Sequence, residues 1–281
     1  MTDRFILAIT CHDVPGIVAA VSGTLADNGG FIEEAAQYGD PDSGRFFMRV
    51  VFRAETTEAA LTAAFSPVAQ RFAMDWTLWP AARRPRVMIC VSRFGHCLND
   101  LLHRWQTGTL PVEIPLVFSN HPDLGPLAEW HGIPFHHQPV TPDTKAESED
   151  RLRALMAEHD IDLVVLARYM QILSPGLAGD LAGRAINIHH SFLPGFKGAA
   201  PYTRAHERGV KMIGATAHYV TADLDEGPII EQDVERVDHT QGPESLAAVG
   251  RDIETVVLAR AVRWHAERRV LLNGRRTVVF R

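Results

Sequence analysis

Apolar and polar positions alternate along RFILAIT, residues 4–10, as they do in a strand with one buried face. The next stretch, DVPGIVAAVSGTLADNGG, reads as a turn followed by an apolar-periodic helix that two glycines end. FIEEAAQYG and RFFMRVVF are strand-like runs joined by DPDSG, a hairpin signal. TTEAALTAAFSPVAQRFA then predicts a second helix and MDWTLW a last short strand. The resulting βαββαβ order is that of a ferredoxin-like domain, over residues 1–80. Residues 81–86, Pro- and Arg-rich and without an apolar period, predict a linker.

From residue 87 the period changes. VMICVS, IPLVFS, DLVVLA and AINI are buried-strand runs, with helical stretches in HCLNDLLHRW and around LGPLAEWHG. MIGATAHYV and GPIIEQDVERV add strands, and PESLAAVGRDIETVVLARAVRWHAE predicts a long amphipathic helix near the C-terminus. Such alternation predicts an α/β domain over residues 87–281, a doubly wound, mostly parallel sheet with ligands at the carboxyl ends of its strands.

Composition narrows the partners. A hydrophobic fraction of 46% is enough for a substantial core, and the net charge of −6 comes from intermixed acids and bases, which argues against nucleic acid. The first apolar run is too short for a secretory signal and no run approaches the ~20 residues of a membrane span, so a cytoplasmic protein is expected. The three cysteines form no CxxC pair, which suggests reduced core residues and neither disulfides nor a cysteine zinc site.

Candidate chemistry gathers in INIHHSFLPGF, residues 186–196. If this run leaves the sheet as a strand, Asn187 and His189 share one face and His190 takes the other. An amide offers a neutral N–H donor to a developing oxyanion, and an imidazole moves protons near neutral pH. The missing carboxylate has candidates in GATAHYVTADLDEGPII: Asp223, Asp225 and Glu226, with His218 at the strand end nearby. Spacing does not choose among them, because a loop aspartate is commonly a turn residue. Without a nucleophilic Ser or Cys, the set points to direct attack in acyl transfer or amide-like hydrolysis. His190, like the surface His103, His131 and His159, reads as a hydrogen-bonded structural residue. A metal reading would use His189, His190, His218 and Asp225, but adjacent strand histidines diverge and no compact ligand motif is present. SRFGHCLNDLL carries a single glycine where a phosphate cradle would be glycine-rich.

NIHHSFLPGFKGAAPY followed by GATAHYVTADLDEGPIIEQ resembles the folate-dependent formyltransferase family, over roughly residues 85–281. HCLNDLL, VLARYMQILSP, GVKMIGATAHYVT and LDEGPIIEQDV are similar to its deformylase branch, whose members hydrolyse 10-formyltetrahydrofolate to formate and tetrahydrofolate. Members that formylate a ribonucleotide carry a Gly-Ser-rich phosphate loop where this chain has FGHCLND. HDVPGIVAAVSGTLADNGGFI resembles an ACT domain, and that fusion is the deformylase arrangement.

The resemblance implies Asn187, His189 and Asp225 as catalytic residues. It implies Met170, Gln171, Ile172, Leu173, His218, Ala222 and Leu224 around the folate, held mostly by backbone groups. An amino-acid effector would bind at Asp13, Gly16 and Ile17, and ACT pairing would give an even-numbered homo-oligomer. No cofactor and no metal are expected, with water as acceptor. Formyl transfer to a small-molecule amine and a non-catalytic folate or amino-acid sensor are the alternatives.

Overall fold

The computed structural model describes residues 3–195 and 201–281, which fall into two compact units. The FKGAA portion of the motif, residues 196–200, lies outside the described residues.

The first unit follows the expected order: β1 (Asp3–His12), α1 (Ile17–Asp27), β2 (Phe31–Asp40), β3 (Arg45–Ala54), α2 (Glu58–Arg71) and β4 (Asp75–Pro80). The four strands form an antiparallel sheet in the order β2-β3-β1-β4. α1 buries Ile17, Val21 and Leu25, one residue per turn. It ends because Gly29 takes φ 73° and the Gly30 N–H returns to the Leu25 carbonyl at 2.8 Å. Thr57 caps α2 by accepting from the Ala60 N–H at 3.2 Å. Both helices pack on one sheet face, over Phe5, Leu7, Ile9 and Phe52.

The opposite face is covered by a segment the hydrophobic pattern had assigned to the second domain. Residues 264–281 belong to the first unit, so the span expected for the second domain, 87–281, is corrected to 85–263. The cause is a hairpin, β12 (Val270–Asn273) and β13 (Arg276–Val279), whose Leu271 and Val278 pack with Phe280 on the buried Phe47. Asn273 and Arg276 both donate to Asp40, at 2.7 and 2.8 Å, and Arg49 donates to the Glu267 carbonyl. Cover on both faces explains why β3 is buried along nearly its whole length.

The second unit runs β5 (Arg86–Val91), α3 (His96–Gln106), β6 (Glu113–Ser119), α4 (Gly125–Trp130), β7 (Phe135–His137), α5 (Lys145–Glu158), β8 (Leu163–Leu166), α6 (Pro175–Asp180), β9 (Ala185–His189), α7 (Pro201–Glu207), β10 (Met212–Tyr219), β11 (Ile229–Arg236) and α8 (Pro243–Ala266). Its seven strands lie in the order β11-β10-β9-β8-β5-β6-β7. The five from β9 to β7 are parallel, while β10 pairs antiparallel with both β9 and β11. Strand order reverses between β5 and β8, the place where an open α/β sheet forms a crevice at its carboxyl ends. The three cysteines are free and buried. Among the described residues no helix is long and apolar enough to cross a membrane.

Candidate functional site

Two loops flank the carboxyl end of β9. The first, after β8, holds Arg168 and Met170 at φ 66° and 55°, and the second, after β10, holds Asp225 at φ 58°. Left-handed backbone at three non-glycine residues costs energy and persists only where the surroundings impose it. The first loop is pinned at its start by Ser92, whose hydroxyl contacts the Tyr169 carbonyl, and at its end by Glu149, which accepts from the Ser174 N–H at 2.8 Å. The second is closed where Gly227 crosses β10. A Cβ there would lie 1.7 Å from the Tyr219 carbonyl oxygen, so only glycine allows the crossing.

Between the loops lies a cleft lined by Gln171, Ile172, Leu173, Ala222, Leu224, Asp225, Asn187 and His218. Met170, Ile172 and Leu224 are more than half exposed at 56%, 61% and 58%, leaving an apolar rim. Neither Met170 nor His189 lines this cleft, although each adjoins residues that do.

At its floor the antiparallel register sets His218 opposite Asn187 and Thr216 opposite His189. His218 Nδ1 lies 2.8 Å from the Tyr219 carbonyl, which only accepts, so Nδ1 carries the proton. In the neutral ring Nε2 then accepts from the Asn187 amide at 3.2 Å, and the amide keeps a second N–H for a ligand. Asp225 faces both imidazoles, with Oδ2 3.2 Å from His189 Nδ1 and Oδ1 3.7 Å from His218 Nε2. Burial by itself would raise the Asp225 carboxyl, but the two histidines outweigh it and hold the group well below the ordinary carboxylate range. His189 is buried, and its Nε2 makes no hydrogen bond among the described residues. Asp223 and Glu226, the other candidates, are exposed.

His190 departs from the strand reading. β9 stops at His189, so alternation no longer applies, and the His190 ring stacks on His189 at 5.0 Å and 23° instead of diverging from it. Burial, with Arg168 and His189 nearby, lowers its pKa to about 4, so it is neutral at physiological pH. A packing role for His190 fits this environment.

The first-unit residues Asp13, Gly16 and Ile17 line one open hollow with Gln37, Tyr38 and Gly39. Gly16 sits there at φ 94° as the residue before α1.

A second polar cluster, around His96, Cys97, Arg168, Tyr202 and Glu254, escaped the sequence reading. Glu254 is 1% exposed and accepts hydrogen bonds from Tyr202 at 2.9 Å and from His96 at 2.7 Å. Its signal was a lone acid among the apolar residues of IETVV in α8. His96, Cys97 and Glu254 place ligand-capable atoms within 4.8 Å of one another. Burial and then Glu254 push the Cys97 thiol well up, so it keeps its proton.

Comparison with known proteins follows this division. An ACT domain model matches residues 5–65 and a formyl transferase model residues 85–262. Over 281 residues the chain is 53% identical to the formyltetrahydrofolate deformylase of Corynebacterium sp. (strain P-1), with 99% of this chain and 98% of that protein covered. The chain belongs to the formyltetrahydrofolate deformylase family. A crystal structure from that family, the Burkholderia mallei enzyme, superposes with a TM-score of 0.96 at 55% identity, covering 99% of this chain and 100% of that one. The phosphoribosylglycinamide formyltransferase of Anaplasma phagocytophilum shares 32% identity over 71% of this chain and 96% of its own, with a TM-score of 0.65. The deformylase family thus shares its α/β unit with enzymes that formylate a phosphorylated amine.

Proposed function

We propose that this chain hydrolyses 10-formyltetrahydrofolate to formate and tetrahydrofolate, returning formate and free folate to one-carbon and purine metabolism. The observation that carries the reading is the linked set of Asn187, His218 and Asp225 in the cleft, with His189 paired to Asp225. The pterin end enters between residues 170–173 and 222–225, where irregular backbone offers amide and carbonyl groups and Met170, Ile172 and Leu224 offer apolar surface. The formyl group lies over Asn187 and His189.

Water, polarised by the Asp225 carboxylate, attacks the formyl carbon. The carbonyl π pair moves onto oxygen, and the oxyanion is met by the free N–H of Asn187 and by Nε2–H of protonated His189. Collapse re-forms the carbonyl and breaks the bond to N10; His189 gives its Nε2 proton to N10 and recovers one from water through Asp225, and the proton left on the new hydroxyl passes to solvent as formate departs. Asp225 holds His189 through Nδ1, which reserves Nε2 for the substrate. His218 fixes the Asn187 amide and touches the cleft, so it positions more than it reacts. We assign no cofactor or metal to the step, because water is both nucleophile and acceptor.

The first unit, on this reading, binds an amino-acid effector in the hollow lined by Asp13, Gly16 and Ile17. The exposed β2 edge, with Phe31 63% exposed, supports pairing of two such units into an even-numbered oligomer. The protein would act in the cytoplasm on 10-formyltetrahydrofolate, with neither nucleic acid nor membrane as partner.

The deciding experiment incubates the purified protein with 10-formyltetrahydrofolate and no amine. Formate and tetrahydrofolate in equal amounts are expected. No formate until an amine is added would replace hydrolysis by formyl transfer, and none under any condition would favour a sensor.

A further inference from the structure

The buried cluster around Glu254 has the parts of an anion site, with that site already filled from within the chain. α3 begins beside the carboxyl end of β5, where α/β sheets bind phosphates, and its first turn has no side-chain cap. Arg168 is 10% exposed, and its Nε and Nη1 make no hydrogen bond among the described residues. Its Nε lies 3.6 Å from Glu254 Oε2. A helix N-terminus and two guanidinium nitrogens without a hydrogen bond among the described residues thus converge on one place. What lies there is the His96 imidazole, itself in the first turn of α3, paired at 2.7 Å with the Glu254 carboxylate.

The pair is held by packing. Tyr202 donates to Glu254 across Gly250, one turn earlier in α8, and a Cβ on Gly250 would lie 2.0 Å from the Tyr202 hydroxyl. The cluster also adjoins the reacting centre, because the Tyr202 ring is 6.5 Å from His190, which stacks on His189. His96, Arg168, Tyr202 and Glu254 do not line the cleft assigned to the folate.

We infer that His96 is a specificity-determining residue: paired with Glu254, it plugs the acceptor side of the site, shuts out a phosphorylated amine and leaves water as acceptor. The inference rests on the hydrolytic reading above. The imidazole takes the space at the first turn of α3 and also occupies the Glu254 carboxylate, which could otherwise meet an acceptor's hydroxyl or amine.

The test titrates phosphoribosylglycinamide, by calorimetry and without folate, into the wild type and into His96→Ser and His96→Gln. Wild type and His96→Gln, which keeps bulk and a hydrogen bond to Glu254, should give no saturable heat. His96→Ser should bind at least about tenfold more tightly than the wild type. A folded His96→Ser without that gain overturns the inference. So does a wild type that binds the ribonucleotide saturably, an outcome that needs no variant to fold. Formate release from 10-formyltetrahydrofolate by the wild type is measured separately. Its absence would sink the hydrolytic reading and leave the titration result unaltered.

Discussion

Replacing Asp225 by asparagine keeps the shape of the side chain and removes only its charge. The φ of 58° at this position suits Asn as well as Asp, so the loop should hold its conformation. Turned with its oxygen to His189 Nδ1, now 3.2 Å away, the amide would still accept that hydrogen bond, and its NH2 would face His218 Nε2. Structure therefore loses little. A charged acceptor becomes a neutral one, worth about 1 kcal/mol. Catalysis loses the group that receives the proton from water, a role worth about 10²–10⁴ in rate, or roughly 3–6 kcal/mol. The assay is formate release under single and multiple turnover, with melting temperature measured alongside. kcat should fall by that factor while KM, set by the cleft between the loops, changes little. Because the histidines hold the carboxyl well below its ordinary range, the wild-type rate should show no acid limb from Asp225 above about pH 4. An Asp225→Asn enzyme within about threefold of the wild-type kcat would refute the assigned proton transfer.

Gly250→Ala should destabilise the second unit by about 1–3 kcal/mol through overpacking against Tyr202, although alanine in a helix ordinarily gains about 1 kcal/mol; thermal melting decides the sign. Hydrogen bonds from Ser43 and Asn273 hold the Asp40 carboxyl at about 2, so its contribution to stability is complete above about pH 4 and disappears as pH falls towards 2. Urea unfolding of the wild type, followed through Trp76 and Trp79, should weaken across that window, and Asp40→Asn should flatten this part of the dependence. Dialysis against a strong chelator should leave formate release unchanged, and loss restored by a divalent cation would return a metal to the mechanism.

Period and punctuation in the chain were enough for the βαββαβ unit, the parallel sheet and the shared face of Asn187 and His189, because each depends on residues a few positions apart. The hairpin at residues 270–279 was equally local, with Asn273-Gly274 between apolar runs, and went unread because it follows a long helix in sequence. Its return to the first sheet could be known only from Phe47, whose outer face needed cover. His190 was misplaced because nothing local marks the residue at which β9 stops pairing.

Spacing alone could not prefer Asp225 to Asp223. A left-handed turn points the Asp225 carboxylate at His189 and His218 and leaves Asp223 exposed on the wall of the cleft. Glu254 is more than 150 residues from His96 in sequence and within hydrogen-bond reach of it in space. Sequence by itself determined which residue types could do the chemistry and which strand carried them. Tertiary structure decided which of them share a proton and which are locked in a pair, because burial and charge pairing depend on distances in space that no period along the chain encodes.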